Sequence, residues 1–284
     1  MKLSAWLTQD PLTFRRYLER YVNDGSPSGF TKKYRVPEPY DPLGPTESFY
    51  LWVCEAAGTI RSYGSFPDLP GVADQAQWIL LHPLAASSLR IPARWRLSEY
   101  PHIPVSPTAS SRTVQLLDES LHDYVKLHYD GILGRVNRAL PYKKAVAGVE
   151  ISTELISAAD SLPSAVAFFP ESGARILTIS EHAGSDPTEI GMIWRPDSPV
   201  GHSASDLVHI WPLFSLYSSD RRALDDSPLL VQLIECTGCN PESLVVGTIL
   251  SALIECYFVL IEQFGYQAEF NAQNLLVGLD QDLS

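Results

Sequence analysis

The sequence predicts an α+β protein, with an antiparallel β-rich N-terminal part over residues 1–160 and a mainly helical C-terminal part over residues 161–284. Three observations carry this. Short apolar runs with two-residue alternation occupy much of residues 75–129 and return at 164–195. A wide apolar stripe at steps of three and four fills residues 243–261. Twenty-two prolines and 17 glycines supply the many turns that such an arrangement needs.

The elements follow in order. Residues 3–24 repeat apolar side chains at helical steps, and Pro11 suits the first turn of a second helix. A connector rich in Gly, Pro and Ser spans 24–48 and holds the basic run Lys32-Lys33-Tyr34-Arg35, read as a solvated loop or, alternatively, as an extension of the phosphate site. Residues 49–56 suit helix or strand, 75–83 read as a buried strand ending at His82-Pro83, and 95–104 as a strand. Residues 113–117 and 123–129 alternate as strands, with Tyr124, Lys126 and His128 on one face. Helix is expected over 131–158, around Arg135, Arg138 and Lys143-Lys144. A hairpin is expected over 164–195, with one strand at 165–169, a turn at Pro170-Glu171-Ser172-Gly173 and further strands at 176–179 and 189–194. From about 204 the chain reads as mostly helical. Asn240-Pro241-Glu242 opens a long helix, Gly265 ends it, and 268–277 form a strand-loop-strand.

Composition narrows the function. A formal net charge of -12 argues against nucleic acid and anionic membranes as partners. Residues 243–261 are apolar enough to suggest a membrane span, but the serines, the threonine and Glu255 within them favour a buried helix of a soluble domain. Gln9, Asp10, Arg15 and Arg16 break up any secretory leader, and four cysteines are ordinary in a reducing compartment, so a cytoplasmic location is expected. Cys236-Thr237-Gly238-Cys239 is read as two small residues in a turn, since no second Cys/His pair completes a zinc site. No G-x-x-x-x-G-K-[ST] loop occurs.

The chemistry concentrates at Ser106-Pro107-Thr108-Ala109-Ser110-Ser111-Arg112-Thr113, followed by Lys126-Leu127-His128 and Arg138. A guanidinium forks onto phosphate oxygens, an ammonium meets them as a point charge, and hydroxyls donate to them. In a chain this acidic, such a run reads as a site for a polyanion, of which a nucleoside triphosphate is an example.

The same residues resemble a known family. Residues 107–113 are similar to the P-T-S-S-x-R-T run of the IucA/IucC-type siderophore synthetases, the ligases that act independently of non-ribosomal peptide synthetases. Lys126-Leu127 and Arg138 match that family's K-L and its Arg twelve residues beyond the Lys. Residues 264–274, ending in Asn271-Ala272-Gln273-Asn274, resemble its Y-G-x-x-x-E-x-H-x-Q-N. His82-Pro83 resembles its H-P-W-Q element, with a plain strand-end turn as the alternative reading.

The resemblance implies a siderophore-synthetase-like fold and an ATP-dependent ligase. Such an enzyme adenylates a citrate-like polycarboxylate and passes the acyl group to an amine or alcohol, using ATP and Mg²⁺. Ser110, Arg112 and Thr113 then contact phosphates or carboxylate, with Lys126 and Arg138 as cationic partners. Gln273 and Asn274 orient nucleotide or Mg²⁺, and Asn271, Arg138 and His82 face the substrate. Two departures stand out. Asn271 replaces the family's His and cannot carry its proton. The sequence also ends ten residues after Asn274, before the family's R-D element, where Asp280 and Asp282 are candidate stand-ins. A fragment, a compact variant or one half of a split enzyme is therefore expected, alone, as a homodimer or with a partner subunit. The alternative function is a non-catalytic or partner-dependent homologue that binds nucleotide or carboxylate without turnover. A related ferric reductase would need more cysteines than Cys236 and Cys239.

Overall fold

The structure, a computed structural model, describes residues 2–24, 37–55, 59–69, 72, 77–88, 96–98, 102–118, 120–129, 131–133, 136–179 and 187–283. The chain divides into two compact units. One comprises Met1–Lys32, Ala158–Phe168 and Pro199–Ser284, and the other Lys33–Ser157 and Phe169–Ser198.

The second unit is built on an antiparallel sheet. Its described strands are β1 (Phe49–Glu55), β2 (Ile60–Gly64), β3 (Trp78–Leu81), β4 (Arg96–Leu97), β5 (Ile103–Pro107), β6 (Thr113–Leu116) and β7 (Tyr124–Leu127), after which comes a small hairpin of β8 (Ile132–Leu133) and β9 (Val136–Asn137). Beyond the two-residue strand β10 (Ala167–Phe168) come β11 (Gly173–Ile179) and β12 (Thr188–Arg195). The strands lie in the order β2-β11-β12-β7-β6-β5-β1-β3, with β4 also paired to β1. Aromatic and β-branched residues favour the pleated, half-buried surface these strands form. Phe49, Leu51 and Val53 alternate inward along β1 while Tyr50 stays exposed. One face of the sheet carries a core of Leu51, Ile79, Val105, Val114, Val125, Leu127, Leu177 and Trp194. The other is covered in part by the helix Tyr142–Ser157, where Ala145, Val146 and Val149 meet Ala174, Ile176 and Ile193.

Two local expectations change here. The helix expected over 131–158 begins only at Tyr142, because β8 and β9 pair ahead of it and Pro141 suits a helix start better than a helix interior. Arg138 therefore lies in extended chain, and Arg135 lies outside the described residues. The hairpin expected over 164–195 is the pair β11–β12, in register from Gly173↔Trp194 to Ile179↔Thr188. Ala167-Phe168 pairs instead with β13 (Val200–Gly201) in the first unit. The basic run at 32–35 also lies outside the described residues.

In the first unit, helices Leu3–Trp6, Pro11–Tyr21 and Leu229–Thr237 pack with β14 (His209–Pro212) and β15 (Leu276–Leu279). Asp10 caps the second helix by accepting from the Thr13 N–H at 2.8 Å. Trp6 stacks on Phe14 at 5.0 Å, and Phe14 meets Trp211 edge-on at 5.6 Å. The region beyond 204 is thus helical with one strand pair, and of the expected strand-loop-strand only β15 forms.

The long helix runs from Ser243 to Phe264, its first eight residues in π-helical geometry. Asn240 Oδ1 accepts from the Ser243 N–H at 3.1 Å, and Gly265 adopts φ +70° at its C-terminal end. It is long and apolar enough to cross a membrane, yet no residue of it is buried, contrary to the buried helix the sequence suggests. Val246 (52% exposed), Leu250, Ile254 (58%), Phe258 (53%) and Ile261 line one edge at helical steps, while only Leu244 and Ile249 reach the neighbouring core.

Candidate anion site

The site grows from the turn between β5 and β6. Ser111 sits at φ +63°, a left-handed conformation uncommon for serine. The turn is held by its own hydroxyls. Thr108 Oγ1 donates to the Thr113 carbonyl at 2.8 Å, and Ser110 Oγ accepts from the Thr113 N–H at 2.9 Å. Ser110 therefore braces the turn that presents Arg112. The Arg112 guanidinium is in turn fixed by donating through Nη1 to the Arg138 carbonyl at 2.9 Å.

Sheet register brings in the other cations. Lys126 lies opposite Thr113 on β6 and Ile193 on β12, and Tyr124 lies opposite Arg195. Directly paired residues, and residues two apart on a strand, share a face, so Thr113, Lys126 and Arg195 project from the same side. Glu171 Oε1 accepts from Lys126 Nζ at 3.0 Å and from Arg195 Nη2 at 2.7 Å. Lys126 and Arg195 thus share one carboxylate, and Arg112 stands close enough to feel Glu171, Arg138 and Arg195, a gathering of cations in a chain of net charge -12.

Burial and like-charge crowding act on these groups. Burial, with repulsion from Arg138 and Arg195, pushes Arg112 down to about 10, opposed by Glu171. Lys126 is lowered by burial and by Arg195 and Arg112, while Glu171 pulls it back. Burial alone would raise Glu171, but Lys126 and Arg195 outweigh it and hold the carboxyl below its ordinary value. The Nε atoms of Arg138 and Arg195 are buried and lack a partner. Cations crowded together with uncommitted donors suit a multiply charged anion.

Sequence reasoning did not single out Arg195 and Glu171. The only trace of them is a polar residue at the end of a strand and an acid in a turn, which pairing with β7 makes meaningful.

The remaining candidates have local roles. His82 is 1% exposed and rings with Tyr40 (4.8 Å), Phe49 (5.4 Å) and Tyr129 (5.8 Å) edge-on. Its Nδ1 accepts from the Leu84 N–H, which assigns the proton to a buried, unpaired Nε2, and burial pushes it down to about 4. His82 is therefore a neutral imidazole at pH 7. His128 is buried, with Nδ1 accepting from the Leu140 N–H. Asn271, Gln273 and Asn274 belong to the first unit. Asn271 Oδ1 accepts from the N–H groups of Gln273 (3.0 Å) and Asn274 (3.1 Å), and Asn274 Nδ2 donates to the Glu269 carbonyl. Asn271 therefore shapes the turn that carries Gln273. Asp280 Oδ1 accepts from the Asp282 N–H in a similar turn. Among the described residues, no three His, Cys, Asp or Glu side chains gather as a metal site, and Cys236 and Cys239 are free thiols.

No protein-family model and no curated protein matches the sequence. Solved structures do match the fold. Aerobactin synthetase IucC from a hypervirulent pathotype of Klebsiella pneumoniae superposes with a TM-score of 0.68 at 15% identity, over 100% of this chain and 56% of that one. The petrobactin biosynthesis protein AsbB from Bacillus anthracis gives 0.69 at 16%, over 94% and 51%. Aerobactin synthetase IucA from the same kind of Klebsiella pneumoniae pathotype gives 0.61 at 15%, over 99% and 57%. The chain spans about half the length of these solved chains. Its α+β fold, with the large antiparallel sheet, is that of the siderophore synthetases.

Proposed function

We propose that this chain carries the anion-binding part of an ATP-dependent, cytoplasmic ligase of siderophore biosynthesis. In the reaction, a carboxylate oxygen of a citrate-like acid attacks the α-phosphorus of ATP and pyrophosphate leaves. An amine or alcohol then displaces AMP from the acyl group. The observation that carries this reading is the crowding of Arg112 with Arg138 and Arg195, beside the Lys126 and Arg195 pair on Glu171, on a fold shared with siderophore synthetases.

Two polyanions that must meet repel each other, and the attack adds charge at the α-phosphate. Fixed cations offset both effects without having to reorganise. Arg112, set at the tip of a braced turn, and Lys126, set by sheet register, are suited to the phosphates. The Arg138 side chain, with its unpaired Nε, is suited to the carboxylate or a phosphate. Mg²⁺ belongs to this reading as the counter-ion of the nucleotide phosphates. The described residues offer it no cluster of three His, Cys, Asp or Glu ligands.

A second reading has support of its own. Asn271, at the position of the family's His, spends its carboxamide oxygen on a turn. This fits a chain that binds ATP or citrate and turns over only with a partner subunit. Pyrophosphate release with ATP, Mg²⁺, citrate and a panel of amines tests the ligase, and calorimetry with ATP tests the site. Turnover that requires both acid and amine supports the first reading, and binding without turnover the second. No ATP binding at 1 mM, roughly the weak limit for a specific site, would exclude both.

A further inference from the structure

Glu171 is the acid that Lys126 and Arg195 share, and its surroundings are as specific as theirs. Its backbone N–H donates to Ser152 Oγ at 2.8 Å. A Cβ added at Gly148 would fall on Glu171 Oε2, so the helix Tyr142–Ser157 runs its bare backbone against the carboxylate. The helix thus fixes Glu171 from behind, and Glu171 fixes Lys126 and Arg195 in front of it through a single oxygen.

Resting on the reading of this cluster as a polyanion site, we propose that Glu171 is a positioning residue. It holds Lys126 charged and side by side with Arg195, so that their remaining donors meet the incoming phosphate together. An ion pair that serves only stability would match its charges. Here Arg112 and Arg138 form no ion pair among the described residues, and Glu171 is shared between two cations. Lys126 commits one of its three N–H donors to Glu171, and Arg195 keeps an unpaired Nε. Glu171 remains 12% exposed and Lys126 25%, so solvent-borne anions can reach the pair. The charged groups acting on Lys126 are Glu171 from the turn before β11, Arg195 from β12 and Arg112 from the tip before β6. Of these, only Glu171 favours the ammonium.

The test is ATP binding by the full chain as a function of pH from 7.5 to 10, where the phosphates no longer titrate. Wild-type affinity should fall on the alkaline side as Lys126 loses its proton. In Glu171→Gln that fall should begin at lower pH, so that binding on the alkaline side is weaker than wild type by several-fold or more. Glu171→Asp keeps the charge and should move the alkaline limb less than Glu171→Gln does. Gly148→Ala keeps the charge but displaces the carboxylate, so it should move the limb as Glu171→Gln does, and it tests the idea even where Glu171→Gln folds poorly. An unmoved limb in both Glu171→Gln and Gly148→Ala, with wild-type ATP binding intact, overturns this role and leaves the ligase reading standing. Absence of ATP binding by the wild type overturns both.

Discussion

The Arg112 guanidinium donates to the backbone carbonyl of Arg138, 2.9 Å away, so one cation is steadied by the main chain of another. A carbonyl can orient a guanidinium without cancelling its charge. Natural folds rarely gather like charges that cost stability unless something else gains by it.

Arg112→Met should therefore separate binding from stability. Removing one of four crowded cations relieves repulsion, so Tm should hold or rise. ATP affinity should drop at least tenfold, because charge-assisted hydrogen bonds contribute about 1.5–3 kcal/mol each. Calorimetry beside a thermal melt checks this. A Tm several degrees lower with unchanged affinity would assign Arg112 to structure.

His82 gives a prediction in acid. Its folded value, about 4, lies below the ordinary 6.5 because the aromatic surroundings exclude water. Between those values the unfolded chain binds a proton that the folded chain refuses. Stability should therefore fall as the pH drops from 6.5 toward 4, by up to ~3 kcal/mol from this residue. His82→Phe should flatten that slope in urea titrations at pH 7 and pH 4.5. Equal slopes in wild type and variant would show that another group carries the acid sensitivity.

Asn271 gives a prediction about the second motif. Its side-chain oxygen serves two N–H groups, so Asn271→Ala should cost about 1 kcal/mol of stability, while Asn271→Asp keeps the acceptor and the stability. Asn271→His should cost as much as alanine, since an imidazole nitrogen does not reproduce the turn made by a carboxamide oxygen. Shifts of the urea midpoint distinguish these outcomes.

The strands were legible because their chemistry is local. Alternation at Tyr124-Val125-Lys126-Leu127 is a property of four neighbouring residues, and it placed Lys126 on a polar face. Arg112 and Lys126 stood out for the same reason, as cations in an acidic chain. Glu171 and Arg195 did not, because they join the site through register between strands distant in sequence, which no local pattern encodes. The start of the helix at Tyr142 was missed because the β8–β9 pairing competes with helix formation over the same residues. Residues 243–261 were read as buried because apolar periodicity records which face is greasy and carries no information on whether anything covers it.

That last feature has a practical side. Val246, Leu250, Ile254, Phe258 and Ile261 form a continuous oily edge on a chain whose overall composition is ordinary. Handled in isolation, the polypeptide should bind ANS strongly, adhere to phenyl resins and cloud as it is concentrated. Replacing Ile254 and Phe258 with lysine should make it far easier to keep in solution, with no loss of melting temperature, because neither side chain is buried within the fold.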